Sequence, residues 1–187
     1  MRAFIAIDLS SNIKTSLAKI QSRLKTVLPK ISWVKPDNLH LSLKFLGDIS
    51  LEQCQLIQQA IAEIAKTASP CKIKLEIPGV FPDLRQAKVI WIGADQLPEQ
   101  LKQLVDQLET KLFKIGFAKE KHPFQIHITL GRIKHSIIAA KLENELKILK
   151  NEIPAMDLEF TIRGIILFQS ILGPGWPTYS ILNESGF

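Results

Sequence analysis

The stretch "NLHLSLKFLG", Asn38 to Gly47, alternates polar and apolar side chains as a strand with one buried face must. A regular strand puts His40, Ser42 and Lys44 on one face and Leu41, Leu43 and Phe45 on the other. The pattern returns in "FQIHITLGRI", Phe124 to Ile133, where His127 and Thr129 share a face opposed by Ile128 and Leu130. One histidine in a strand is ordinary, and so is one hydroxyl beside it. A histidine and a hydroxyl two residues apart, displayed twice on apolar-backed strands, need a common explanation.

The spacing between the histidines, 127 − 40 = 87, organises the rest of the chain. Added to a strand expected at 2–8, it lands on 89–95, so "FIAID" (Phe4–Asp8) falls on "WIGAD" (Trp91–Asp95). Four apolar stripes have helical spacing: Ile13, Leu17, Ile20, Leu24, Val27; Cys54, Ile57, Ile61, Ile64; Leu97, Leu101, Leu104, Leu108, Leu112; and Ile138, Leu142, Leu146, Leu149. They predict helices near 12–28, 51–66, 97–113 and 137–150. Ser50 followed by Gln53 reads as a capping box, and Pro98 suits a first helical turn. Further alternating runs lie near 72–80, 157–168 and 177–183, and loops are expected at 82–87, 118–123 and 172–176.

The order strand, helix, His-strand, helix, strand therefore occurs twice, followed by a closing strand. This predicts an α+β fold in one bilobal domain spanning 1–187, with repeat units of about 1–81 and 88–168 and a closing strand at 177–183. Two similar lobes, each an antiparallel or mixed sheet with helices on its outer face, would be related by a pseudo-two-fold axis. The active-site groove would lie between them, with both His-strands facing it. No Ser/Gly- or Pro-rich run suggests a flexible linker.

Bulk properties bound the function. A chain of 187 residues, 46% hydrophobic and 22% charged, can bury a substantial core. No apolar run reaches the roughly 18 residues of a membrane span, and "MRAFIAIDLSS" lacks the features of an export signal. Cys54 and Cys71, at no metal-ligand spacing, fit thiols of a reducing cytoplasm. The net charge of +6 suits phosphate or RNA, and equally a lysine-coated surface.

Two imidazoles and two hydroxyls around one groove match displacement at phosphorus. The attacking oxygen loses a proton on one side while the leaving oxygen gains one on the other. Imidazole, titrating near 6.5, can serve either transfer, and Ser42 and Thr129 can bond the non-bridging oxygens. No metal is required. A zinc site built on His122, His127 and His135 is the rival, without a cysteine or a paired carboxylate to complete it.

These residues resemble the two-histidine phosphoesterases, specifically the RNA 2′,3′-cyclic phosphodiesterases once named 2′-5′ RNA ligases. "RAFIAIDL", "WVKPDNLHLSLKFLGDI", "VFPDLRQAKVIWIG", "KHPFQIHITLGRI" and "LFQSILGPGWPTYSIL" carry the resemblance over nearly the whole chain. It implies hydrolysis of a terminal 2′,3′-cyclic phosphate to a 2′-phosphate, with weak reversible 2′-5′ ligation. His40 resembles the proton donor to the leaving 3′-oxygen, His127 the proton acceptor for water, and Ser42 and Thr129 the phosphate holders. An arginine commonly follows the second motif as a phosphate contact, and Arg132 stands there. A regular strand would aim it away from His127, so either Gly131 bulges and re-aims it or Arg132 is structural. The expected setting is a cytoplasmic monomer, the simplest oligomeric state, acting on RNA ends or 2′,3′-cyclic nucleotides, with no cofactor, metal, membrane or obligate protein partner.

Departures from the family pattern are Ser42 for threonine, Gln125 and Ile126 for Arg-Pro, His122 before "PF", and Gln169 and Ile171 in "QSILG". They leave open a non-catalytic RNA- or nucleotide-binding module, or a phosphodiesterase for another nucleotide. Arg85 and Lys88 are candidate RNA-backbone contacts, and Trp33 and Trp176 candidate stacking surfaces. Lys44 would share the face of His40, while Phe45 would pack in the core.

Overall fold

The computed structural model describes residues 1–134, 138–173 and 177–187. Its elements, in chain order, are β1 (Arg2–Asp8), α1 (Ser11–Val27), β2 (Ile31–Trp33), β3 (His40–Asp48), α2 (Leu51–Ala65), β4 (Cys71–Lys74), β5 (Ile77–Phe81), β6 (Val89–Gly93), α3 (Glu99–Lys114), β7 (His127–Ile133), α4 (Ala139–Glu152), β8 (Glu159–Ile162), β9 (Gly164–Ile171) and β10 (Thr178–Gly186). His135, Ser136, Ile137, Pro174, Gly175 and Trp176 lie outside the described residues, so the readings placed on His135 and Trp176 do too.

Two four-stranded antiparallel sheets carry the molecule, with orders β10-β9-β1-β3 and β2-β7-β6-β5. At the 87-residue offset, β9-β1-β3 of the first sheet corresponds to β5-β6-β7 of the second. The halves interleave: β5 comes early in the chain but pairs in the second sheet, whereas β9 comes late and pairs in the first. The runs near 72–80 and 157–168 are accordingly two strands each. Leu75 N–H still donates to Leu158 O on the β8 side at 3.1 Å, and Glu76 N–H already donates to Gly93 O on the β6 side at 2.8 Å. The chain changes partner between adjacent residues. A two-stranded ribbon, β4 with β8, pairs Cys71 with Ile162 and Lys74 with Glu159, the reciprocal pattern that a two-fold axis demands.

The helices form where the apolar stripes lie. α1 buries Ile13, Leu17, Ile20 and Leu24, α2 buries Cys54, Ile57, Ile61 and Ile64, and α3 buries Leu101, Leu104, Leu108 and Leu112. These join the inner faces of the sheets in one continuous core. The capping box is present: Gln53 N–H donates to Ser50 Oγ, and Ser50 N–H to Gln53 Oε1, both at 3.0 Å. Ile138 departs from its expected stripe, being 74% exposed just ahead of α4. The sequence reading missed β2, whose three residues are too few to show alternation. The closing strand runs to Gly186, beyond the expected 183.

On the opposite face of the first sheet sits a second, smaller apolar cluster of Phe4, Ala6, Ile166 and Phe168, with Tyr179 against it. That face borders the groove. The two His-strands, β3 and β7, come together where the sheets meet.

Candidate active site

Each histidine is the first residue of its strand. A single 3-10 turn, Pro36–Asn38, delivers the chain into β3. His40 Nδ1 lies 2.7 Å from Asn38 O, and His127 Nδ1 lies 2.9 Å from Gln125 O. A carbonyl only accepts, so Nδ1 carries the hydrogen in both rings and Nε2 holds the lone pair when the ring is neutral. The two carbonyls stand at the same offset as the rings, 125 − 38 = 87. On the first ring Nε2 is 3.0 Å from Ser42 Oγ, where the hydroxyl donates to a neutral imidazole.

Aromatic rings set each imidazole. His40 lies 4.9 Å from Phe4, 6.4 Å from Phe168 and 5.4 Å from Tyr179, which meets it edge-on at 84°. His127 lies 5.1 Å from Phe81 and 6.4 Å from Trp91. Phe4 and Trp91 are equivalent at the 87-residue offset, as are Phe81 and Phe168. Trp91 fits only because position 79 is glycine: a Cβ there would stand 2.3 Å from its ring.

Burial pushes the pKa of His40 below its ordinary value of 6.5. Hydrogen bonding to Asn38 O and the charge of Asp8 oppose that shift, whereas Lys14 and His127 reinforce it. The strands that carry the two imidazoles pack against each other.

Both strands bulge just beyond the hydroxyl. In β3, Ser42 pairs with Ala6 and Lys44 with Ile5, leaving Leu43 as the extra residue. In β7, Thr129 pairs with Trp91 and Gly131 with Ile90, leaving Leu130 extra. A bulge reverses the alternation beyond it. It therefore returns Arg132 to the face of His127 and Thr129, where the guanidinium lies close enough to act on Tyr179 of the other sheet. The carbonyl of the extra Leu130 is held from two sides, by Val34 N–H at 2.9 Å and by the buried Gln21 amide at 2.8 Å.

The bulge in β3 overturns two expectations. Phe45 is not in the core; it is 64% exposed on the groove face, at the position equivalent to Arg132. Lys44 does not share the face of His40; it is turned inward and 4% exposed. Its ammonium meets Glu109 at 2.7 Å, Glu120 at 3.0 Å and Ala118 O at 2.8 Å. Alternation alone cannot show an inserted residue, hence the misreading.

A cavity of about 790 Å³ opens on the His127 side of the groove, lined by Ser42, Phe45, Phe81, Lys88, Phe124 and His127 among others, with His40 outside its lining. His122 and Gln125 also line it, Ile126 is buried beneath, and Arg85 does not reach it. Trp33 is half-buried against the core rather than offered as a platform. The residues missed by sequence reasoning are Asn38, Gln21, Tyr179 and the aromatic pairs under the rings. The 87-residue offset pointed to those pairs, since 81 + 87 = 168 joins two phenylalanines. Among the described residues no three His, Cys, Asp or Glu side chains gather to hold a metal ion, and no helix is long and apolar enough to cross a membrane.

Comparison with known proteins shows the family and the fold. The sequence profile described as "LigT like Phosphoesterase" matches twice, over residues 7–91 and 92–179. An RNA 2′,3′-cyclic phosphodiesterase of Methanocaldococcus jannaschii is 35% identical over 185 residues, which are 98% of this chain and 99% of that one. A Thermus thermophilus protein of solved structure has the same fold, with a TM-score of 0.82 at 23% identity, covering 100% of this chain and 97% of its own. Escherichia coli LigT in complex with 3′-AMP superposes with a TM-score of 0.77 at 26% identity, covering 99% of this chain and 97% of that one.

Proposed function

The chain belongs to the LigT-like phosphoesterase family, and from that premise we propose that its cleft opens 2′,3′-cyclic phosphates, at RNA 3′ ends or on nucleosides, to leave a 2′-phosphate. The observation that carries this reading is the matched pair of imidazoles, each fixed through Nδ1 by the carbonyl two residues before it.

In the proposed reaction His127 Nε2 takes a proton from water as its oxygen attacks phosphorus. The P–O3′ bond breaks, and the departing O3′ takes a proton from His40 Nε2. Each transfer contributes on the order of 10²–10⁴ in rate. One water is consumed; His127 ends protonated, His40 ends neutral, and exchange with solvent resets both. Burial, which disfavours the imidazolium of His40, also makes it the stronger acid once protonated. The anionic substrate offsets the cost of bringing that proton in. Ser42 and Thr129 donate to the non-bridging oxygens, and Arg132, re-aimed by the bulge, balances their charge. A 5′-hydroxyl in place of water would give a 2′-5′ linkage by the same steps, weakly in aqueous solution. The natural setting in this reading is a cytoplasmic monomer acting on RNA ends.

The deciding experiment is incubation of an RNA oligonucleotide ending in a 2′,3′-cyclic phosphate with the protein in EDTA across pH 5–8. A 2′-phosphate product, nearly abolished in His40→Ala and His127→Ala, is expected. A 3′-phosphate product would refute the assignment of the leaving oxygen, and tight binding without turnover would favour a binding module.

A further inference from the structure

The two halves hold their histidines through the same backbone bond, but the sheets beside them end differently. Beyond β9 the first sheet continues into β10, whereas beyond β5, the equivalent of β9, the second sheet ends among the described residues. β10 supplies Tyr179, and among the described residues no ring occupies the corresponding place beside His127.

We propose that Asn38 and Tyr179 are positioning residues that clamp His40 to the closing strand, and that this clamp makes two otherwise equivalent imidazoles different. Asn38 acts in two directions. Its backbone carbonyl receives the His40 Nδ1–H at 2.7 Å, and its side-chain Nδ2 donates to Pro177 O at 2.7 Å. Two residues after that carbonyl stands Tyr179, whose ring closes over His40 at 5.4 Å and also packs edge-on against Phe4 at 4.9 Å. The turn that aims His40 and the ring that covers it are therefore tied to each other through one amide. At Gln125, the equivalent of Asn38, only the backbone bond to the histidine is made among the described residues.

A clamp of this kind fixes the partly buried ring against an aromatic wall. The charged and titratable groups that face His40 are Asp8 from β1, Lys14 from α1, His127 from β7 and Tyr179 itself from β10. Asp8 and Lys14 pair with each other at 2.7 Å, so their opposed effects largely cancel. Burial against that wall is left as the dominant influence on the proton of His40, in line with the depression of its pKa.

The test uses Tyr179→Ala, Tyr179→Phe and Asn38→Ala in the full chain, with imidazole ¹⁵N NMR titration and kcat and KM on 2′,3′-cyclic AMP. Tyr179→Ala should move the His40 titration up towards its ordinary value, leave that of His127 in place and lower kcat about 10–100-fold with KM little changed. Tyr179→Phe keeps the ring and should recover both readouts. Asn38→Ala retains the carbonyl but loses the tie to Pro177, and should act in the same direction as Tyr179→Ala. It stands in for that variant should the latter fail to fold. An unmoved His40 titration in a folded Tyr179→Ala or Asn38→Ala variant would overturn the proposal, as would a Tyr179→Phe variant as impaired as Tyr179→Ala. The kinetic arm rests on the phosphodiesterase reading, whereas the titration is recorded without substrate, so failure of one is distinguishable from failure of the other.

Discussion

Gly93→Ala is a single-methyl test of how tightly the second histidine is held. Gly93 pairs with His127 across β6 and β7, and a Cβ there would stand 2.0 Å from Ile126 O and 3.1 Å from Ile126 C. Ordinary contact begins near 3.4 Å, so the strands would have to part by 3.4 − 2.0 = 1.4 Å. The obstacle is the backbone immediately before His127, which cannot swing aside as a side chain can. A displacement of about 1 Å at a reacting group costs about 10² in rate. The variant should therefore lose about 10²-fold in kcat on 2′,3′-cyclic AMP. Overpacking of this kind costs about 1–3 kcal/mol, readable by urea unfolding. The imidazole signals would localise the effect, with His127 perturbed and His40 unchanged. A folded Gly93→Ala variant with kcat within about twofold of the parent would refute the claim that this close approach sets the ring.

Three further outcomes are expected. Lys44→Met leaves Glu109 facing the interior without its cation; with Glu120 largely exposed and contributing little, the loss should be about 3 kcal/mol in urea unfolding. Gln21→Leu removes two buried amide bonds, to Val34 O and to the bulged Leu130 O, each at 2.8 Å. It should cost about 1–3 kcal/mol, and raise KM by releasing the bulge that aims Arg132. Stability should also fall in acid: folded His40 binds a proton less readily than it does in the unfolded chain, so unfolding takes up a proton. The contribution is whole above pH 6.5 and is lost as pH drops below it, and His40→Gln should flatten that part of a urea-midpoint profile.

Much of this molecule is legible in its sequence because the governing signals are periodic. Leu41 and Ile128 alternate with His40 and His127, so the faces of both strands follow from a period of two, and the 87-residue offset supplies the symmetry. What alternation cannot carry is an inserted residue. Leu43 and Leu130 look like ordinary members of their strands, yet each reverses the pattern beyond it, sending Lys44 inward and Phe45 and Arg132 to the groove. Nor does alternation reveal a change of pairing partner: "CKIKLEI" reads as one strand while Leu75 and Glu76 bond to different sheets. Asn38 and Tyr179 escaped because their roles depend on a contact across 139 residues, from an amide to Pro177 O.

The central claim is that one anion engages both imidazoles, and it can be measured without turnover. Titrating ¹⁵N-labelled protein with inorganic phosphate while following the Nε2 signals of His40 and His127 tests it directly. The account predicts that both signals move together, with one midpoint and one phosphate per chain. Movement of only one ring, or of each with its own midpoint, would contradict it.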